Sequence, residues 1–115
     1  MEPRIIHNPR CSKSRATLQL LKDHGHDPEI VLYLDTPPGA EELKTIVARL
    51  GIGPRDLMRK GEPEYQQQGL DNQGLSDDEL IAAMVATPML IERPIVIANG
   101  KAAIGRPPER VLAIL

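Results

Sequence analysis

Two short strand-like runs, Arg4-Ile5-Ile6 and the apolar Ile30-Val31-Leu32, flank a stretch with helical patterning, and this spacing limits most strongly what the chain can become. Between them Leu18, Leu20 and Leu21 lie on an apolar stripe over residues 16–24, and Gly25 stands where a left-handed C-terminal cap belongs. Pro28 then opens a second strand, Glu29 to Tyr33. A strand, a helix and a strand joined by short connections form a βαβ unit, which implies a parallel pair with a right-handed crossover.

The pattern then becomes helical. Thr36 is expected as an N-cap, with Pro37 and Pro38 at the first helical positions and Glu41 and Glu42 in the first turn. Leu43, Ile46, Val47 and Leu50 follow at i, i+3, i+4, i+7 before Gly51. A short helix, Arg55 to Lys60, is expected to end at Gly61, and Glu62 to Gly74 reads as a loop or irregular helical turn. Ser76 and Glu79 form a capping box for a helix through Val85, which Pro88 stops. Ile95 to Ala98 reads as a strand, and Asn99-Gly100 signals a type I′ hairpin into Lys101 to Ile104. Val111, Leu112 and Leu115 give a last helix. The order is therefore β-α-β, a helical insertion over about 36–90, and β-β-α within one α/β domain of residues 1–115. This is the thioredoxin-like arrangement.

Composition removes several function classes. The 115 residues carry a net charge of −2 with 41% hydrophobic and 26% charged residues, ordinary values for a water-soluble domain. Nucleic-acid binding needs a clear basic excess, and two tyrosines as the only aromatic residues cannot build a base-stacking surface. No apolar run approaches the ~20 residues of a membrane helix, and no signal-peptide core is evident, so a cytoplasmic protein is expected. Three histidines and one cysteine show no metal-ligand spacing, so no metal is expected.

Cys11 is the only cysteine and falls in HNPRCSKSR, between the first strand and the first helix. A free thiol with a pKa near 8.5 is only about 3% thiolate at neutral pH, whereas a helix N-terminus and nearby cations lower that pKa. His7, Arg10, Lys13 and Arg15 are expected to add positive charge, and Ser12 and Ser14 to supply hydroxyls for a thiolate or a bound oxyanion. Free cysteine is also among the most buried residue types, but the neighbours of Cys11 are polar or charged, which favours a reactive thiol over a packed one.

Most arginines lie on a solvated surface, but three of the nine here would make an oxyanion site if they converge near the thiolate. Arg93-Pro94 opens the third strand; in a thioredoxin-like fold the loop before that strand faces the cysteine loop, and a proline there is commonly cis, which would aim the preceding residue at the thiol. Arg106-Pro107 follows the fourth strand, and Arg59 comes from the short helix of the insertion. Planar, permanently charged guanidinium groups match tetrahedral oxyanions. Arg55, one turn before Arg59, is expected to be solvated or structural, and His24 and His26 to be surface residues.

Five motifs in order, HNPRCSKSR, VLYLDTPPGAEEL, GIGPRDLMRK, LSDDELIAAM, and IERPIVI with IGRPPERVLAIL, resemble the glutaredoxin-linked arsenate reductase family from Arg4 to Leu115. The resemblance implies a thioredoxin-like fold, Cys11 as nucleophile, Arg59, Arg93 and Arg106 as arsenate ligands, and His7 and Ser14 as supporting residues that lower the thiol pKa. The loop reads C-S-K-S where some members carry C-G-T-S, and the chain stops at Leu115 without the extension of some members. These two features suggest a shorter subgroup.

The implied chemistry follows from the single cysteine. The Cys11 thiolate attacks arsenic(V), the arginines stabilise the oxygens, and a thiol from solution must resolve the adduct. By the family resemblance that thiol is glutathione, a co-substrate rather than a bound cofactor, and glutaredoxin reduces the mixed disulfide as arsenite is released. The partners expected are arsenate, glutathione and glutaredoxin, with no nucleic acid, no membrane and a monomeric chain. A C-x5-R phosphate loop is excluded because Thr17 occupies the arginine position. The alternatives are a redox-sensing regulator that binds RNA polymerase, which would ordinarily use C-x-x-C where this chain has C-x-x-S, and a thiol oxidoreductase with another substrate.

Overall fold

A computed structural model describes residues 2–115, leaving Met1 outside the described residues. The chain divides into two compact units: residues up to Thr36 together with Arg93–Leu115, and Pro37–Glu92.

The first unit is built on a four-stranded sheet. Its strands are β1 (Arg4–His7), β2 (Glu29–Leu32), β3 (Ile95–Ala98) and β4 (Lys101–Ile104), in the spatial order β2-β1-β3-β4. β1 and β2 run parallel and are joined by helix α1 (Ser12–Asp23), while β3 runs antiparallel to both β1 and β4. The arrangement is thioredoxin-like. Alternation along each strand decides which residues form the core. Ile5 lies opposite Val96, which lies opposite Ala103, so all three point to one face of the sheet. There Ile5, Val96 and Ala98 pack with Leu21 of α1 and with Val111 and Ile114. β2 is an edge strand, and Ile30, Leu32 and the following Leu34 remain exposed beside it.

Local signals explain the ends of these elements. α1 closes on a left-handed Gly25 (φ 82°), whose N–H donates to Lys22 O while the His26 N–H donates to Leu21 O, the paired bonds of a Schellman cap. Asn99 (φ 54°) and Gly100 (φ 73°) both adopt the left-handed conformation that a type I′ hairpin requires, joining β3 to β4. After β4 the chain ends in a 3-10 helix, Pro108–Ile114, which packs on α1.

The second unit consists of helices α2 (Ala40–Leu50), α3 (Pro54–Leu57), α4 (Pro63–Gln67) and α5 (Asp77–Ala86), followed by a 3-10 turn, Pro88–Leu90. α2 and α3 pack on α5. Both halves of the Ser76–Glu79 capping box are present. Two expectations need correction here. α2 is capped by Gly39 rather than Thr36: a residue before proline avoids the helical region, so Pro37 cannot start a helix that runs into Pro38, and the Thr36 N–H is taken by Leu32 O. α3 stops at Leu57 instead of continuing to Lys60, because Met58 pairs with Ile91, Glu92 N–H donates to Leu57 O and Arg59 N–H donates to Leu90 O. A strand-like pairing has replaced helical bonds. The segment after α3 is held by Arg55, whose guanidinium donates to Tyr65 Oη at 2.6 Å, Leu70 O at 2.6 Å and Asn72 O at 2.9 Å. Arg55 is thus a structural residue.

Gly105 shows how tightly the first unit is fitted around its functional loops. A Cβ there would collide with Thr17 Oγ1 and lie 2.8 Å from Pro94 Cγ. Gly105→Ala is expected to destabilise the protein by about 1–3 kcal/mol through overpacking, read as a lower denaturation midpoint.

Candidate active site

The direction of the strands gathers the functional residues at one edge of the sheet. β1 ends at His7 and delivers Cys11; β3, running the opposite way, begins just after Arg93; β4, reversing again, ends just before Arg106. Register makes the match close, since Ile6 pairs with Ile95 and Ile95 with Ile104. Residues 11, 93 and 106 are distant in sequence but adjacent at the ends of neighbouring strands.

Cys11 is the N-cap of α1 and is partly exposed. Burial pushes its pKa up, but this is outweighed by hydrogen bonds from the Ser14 N–H, the Arg93 side chain and the Lys13 N–H, and by the charge of Arg106. The net result is a thiol pKa below its ordinary value. Arg106 Nη2 lies 3.3 Å from Cys11 Sγ, and Arg106 Nε donates to Arg93 O at 2.8 Å, so one arginine is oriented by the backbone of the other. The Arg93–Pro94 peptide is cis, and so is Arg106–Pro107. Two guanidinium groups and the first N–H groups of a helix therefore converge on one sulfur. This set of donors stabilises a thiolate and can also hold an oxyanion bound to it.

The loop between β1 and α1 is held by a buried polar cluster. Ser14 Oγ lies 2.6 Å from His7 Nδ1 and accepts the Asn8 N–H at 3.0 Å. Asn8 Oδ1 accepts the Arg10 N–H, and Asn8 O accepts the Cys11 N–H, both at 3.0 Å. Arg15 donates to Pro9 O at 3.0 Å. Sequence reasoning passed over Asn8, although Asn-Pro is a recognised turn signal. Ser14 also differs from expectation. Its hydroxyl is engaged by His7 and Asn8, and the Ser14 group that favours the thiolate is its backbone N–H.

His7 requires a larger correction. It was expected to contribute positive charge, but burial, followed by the nearby charges of Arg15 and Lys22, holds its pKa below the ordinary 6.5. The shift favours the uncharged ring, and His7 acts as a hydrogen-bonding anchor for Ser14. Arg59 belongs to the second unit, where its Nε lies 3.1 Å from Glu62 Oε1 and its Nη1 2.7 Å from Glu92 Oε1. The structure thus brings Cys11, Arg93 and Arg106 together with His7 and Ser14 in the first unit, and gives Arg59 two carboxylate partners in the second.

The chain matches the ArsC family over residues 6–114. It belongs to the ArsC family. Among its relatives, the uncharacterized protein YfgD of Escherichia coli (strain K12) is 56% identical over 113 residues, covering 97% of this chain and 95% of that protein. An arsenate reductase of Neisseria meningitidis serogroup A is 53% identical over 115 residues, covering 99% and 98%. Among solved structures, an arsenate reductase from Vibrio cholerae is 52% identical with a TM-score of 0.98, covering 100% of this chain and 98% of that one. Among the described residues of this ArsC chain, no helix is long and apolar enough to cross a membrane.

Two measurements test the electrostatic account. Because the charge and hydrogen bonds of the arginines favour the thiolate, Arg106→Ala should raise the Cys11 pKa, moving the pH profile of iodoacetamide alkylation upward; an unmoved profile would count against that role. His7, with a folded pKa below its unfolded value, binds fewer protons folded than unfolded just below pH 6.5. Its contribution to stability is complete above pH 6.5 and is lost as pH falls below that value toward the folded pKa. Denaturation midpoints at about pH 7.5 and about pH 5.5 should therefore differ less in His7→Gln than in the native chain.

Proposed function

We propose that this protein is an arsenate reductase in which Cys11 is the nucleophile and Arg93 and Arg106 hold the arsenate oxygens. The observation that carries this reading is the pair of arginines on the Cys11 sulfur at a helix N-terminus, with Arg106 Nη2 3.3 Å away. Arsenate is a tetrahedral oxyanion, and this donor set is complementary to one positioned for attack by the thiolate.

The reaction proceeds in balanced steps. The thiolate displaces water from protonated arsenate, forming an Sγ–As bond with arsenic still at oxidation state V. The arginines and helix N–H groups stabilise the charge on the oxygens. A thiolate from solution then attacks Cys11 Sγ. The new S–S bond forms, the Sγ–As bond breaks, and its electron pair goes to arsenic, which leaves as arsenite in oxidation state III. Two sulfurs are oxidised and one arsenic is reduced by two electrons. The chain contains one cysteine, so the attacking thiol is external. Glutathione fills this role in our reading, and glutaredoxin exchanges with the mixed disulfide to regenerate Cys11.

Purified protein with glutathione, glutaredoxin, glutathione reductase and NADPH should show arsenate-dependent NADPH oxidation that disappears in Cys11→Ser. No oxidation at any arsenate concentration would overturn the reading. Arg106→Ala should raise the arsenate KM about 10- to 100-fold, the cost of losing a charge-assisted hydrogen bond to an anion.

A further inference from the structure

The sheet order gives Cys11 two unlike flanks. β1 is an inner strand: Arg93 and Arg106 reach the sulfur from the β3 and β4 side, whereas β2 lies on the other side. On the β2 side, the residues that follow β1 and β2 enclose a cavity of about 340 Å³, whose lining includes Asn8, Arg10, Leu32, Leu34 and Asp35. The arginines on the sulfur do not line it. It is a separate recess beside the same loop.

We propose that this cavity binds the thiol that resolves the Cys11–arsenic adduct, and that its occupant is a small peptide thiol carrying free carboxylate and ammonium groups, the chemistry of glutathione. The proposal rests on the reductase reading given above. Direction supplies the first argument. A thiolate attacking Sγ must approach in line with the Sγ–As bond that breaks. Arsenate oxygens held by Arg93 and Arg106 draw the arsenic toward the β3 side, so the open approach to sulfur is from the β2 side. The electron and proton changes are those already described: the incoming thiol loses its proton to solvent, the S–S bond forms, and arsenite departs with the electron pair.

Chemistry of the lining supplies the second argument. Arg10 and Asp35 are exposed, and among the described residues neither side chain is engaged in an ion pair. A zwitterionic peptide offers a carboxylate to one and an ammonium group to the other. Leu32 and Leu34, 40% and 38% exposed, line the same cavity and supply apolar surface for the methylene groups of such a molecule. The volume lies at the small end of the ~300–1,000 Å³ range of small-molecule sites, suited to a short peptide rather than a folded protein. A protein reductant would act afterwards, on the disulfide.

Two experiments test the assignment. In ¹⁵N-labelled full-length Cys11→Ser, titration with S-methylglutathione should give saturable shifts largest at the amides of Asn8, Arg10, Leu34 and Asp35. Shifts confined to the region of Arg93 and Arg106, or none at millimolar ligand, would overturn the site. In steady-state assays, Asp35→Asn and Leu34→Glu should each raise the KM for glutathione about tenfold while the arsenate KM stays within about twofold. The ratio of the rate with glutathione to that with 2-mercaptoethanol, which has no carboxylate, should fall by about the same factor. An unchanged glutathione KM in both variants, or a parallel rise in the arsenate KM, also overturns the proposal. The titration contains no arsenate, so a protein that binds the peptide there but reduces no arsenate would refute the reductase reading and leave the site standing.

Discussion

The hydroxyl of Ser14 ties strand β1 to helix α1, and the geometry of the site depends on that link. It is fully buried, lies 2.6 Å from the ring of His7 and accepts the backbone N–H of Asn8. A buried polar group must be satisfied or it costs of order 1–3 kcal/mol, so strand end, loop and helix start are locked to one another. Cys11 sits inside that lock. Its sulfur is presented to the helix N–H groups and the arginines by a frame in which His7 serves through shape and hydrogen bonding.

Function is placed here against helix stability. The first turn of α1 contains no acidic residue, although a carboxylate there would complement the helix dipole by about 0.3–1 kcal/mol. Lys13 and Arg15 instead add like charge to the positive end of that dipole. The arrangement is unfavourable for the helix in isolation and favourable for an anion on its end. α2 and α5 have the opposite composition, with Glu41 and Glu42 in one first turn and Asp77, Asp78 and Glu79 in the other. Among these three longer helices, the one at the thiol leaves its N-terminus without carboxylates.

Much of this was legible in the chain because local chemistry dictates it. Asn99-Gly100, Gly25 and the Ser76–Glu79 box each specify a backbone conformation within a few residues, and each is formed as the sequence implies. Cys11 could be placed at a helix start for the same reason. What sequence alone missed depended on partners far along the chain. α3 ends early because Ile91 and Glu92 capture its backbone, a competition invisible at Met58 itself. The charge state of His7 follows from burial, which four residues of strand pattern cannot report. Arg55 is structural, as its place one turn before Arg59 suggests, but the carbonyls of Leu70 and Asn72 that it grips lie too far along the chain to be named from its own neighbourhood.

The alternating strand directions of the sheet also divide its two edges by tolerance to change. Everything chemical stands where β1 and β4 end and β3 begins, whereas the Asn99–Gly100 tip and the Gly25 cap lie at the opposite edge. Four residues of strand separate the two, roughly 13 Å at about 3.3 Å per residue. A fluorophore carried near the hairpin tip, with Asn99 and its bond to Ile114 O left in place, would sit a full strand length from the thiolate. The fold thus carries a reactive pole and a handling pole, and the second is where the molecule can be labelled or tethered for observation while its chemistry runs.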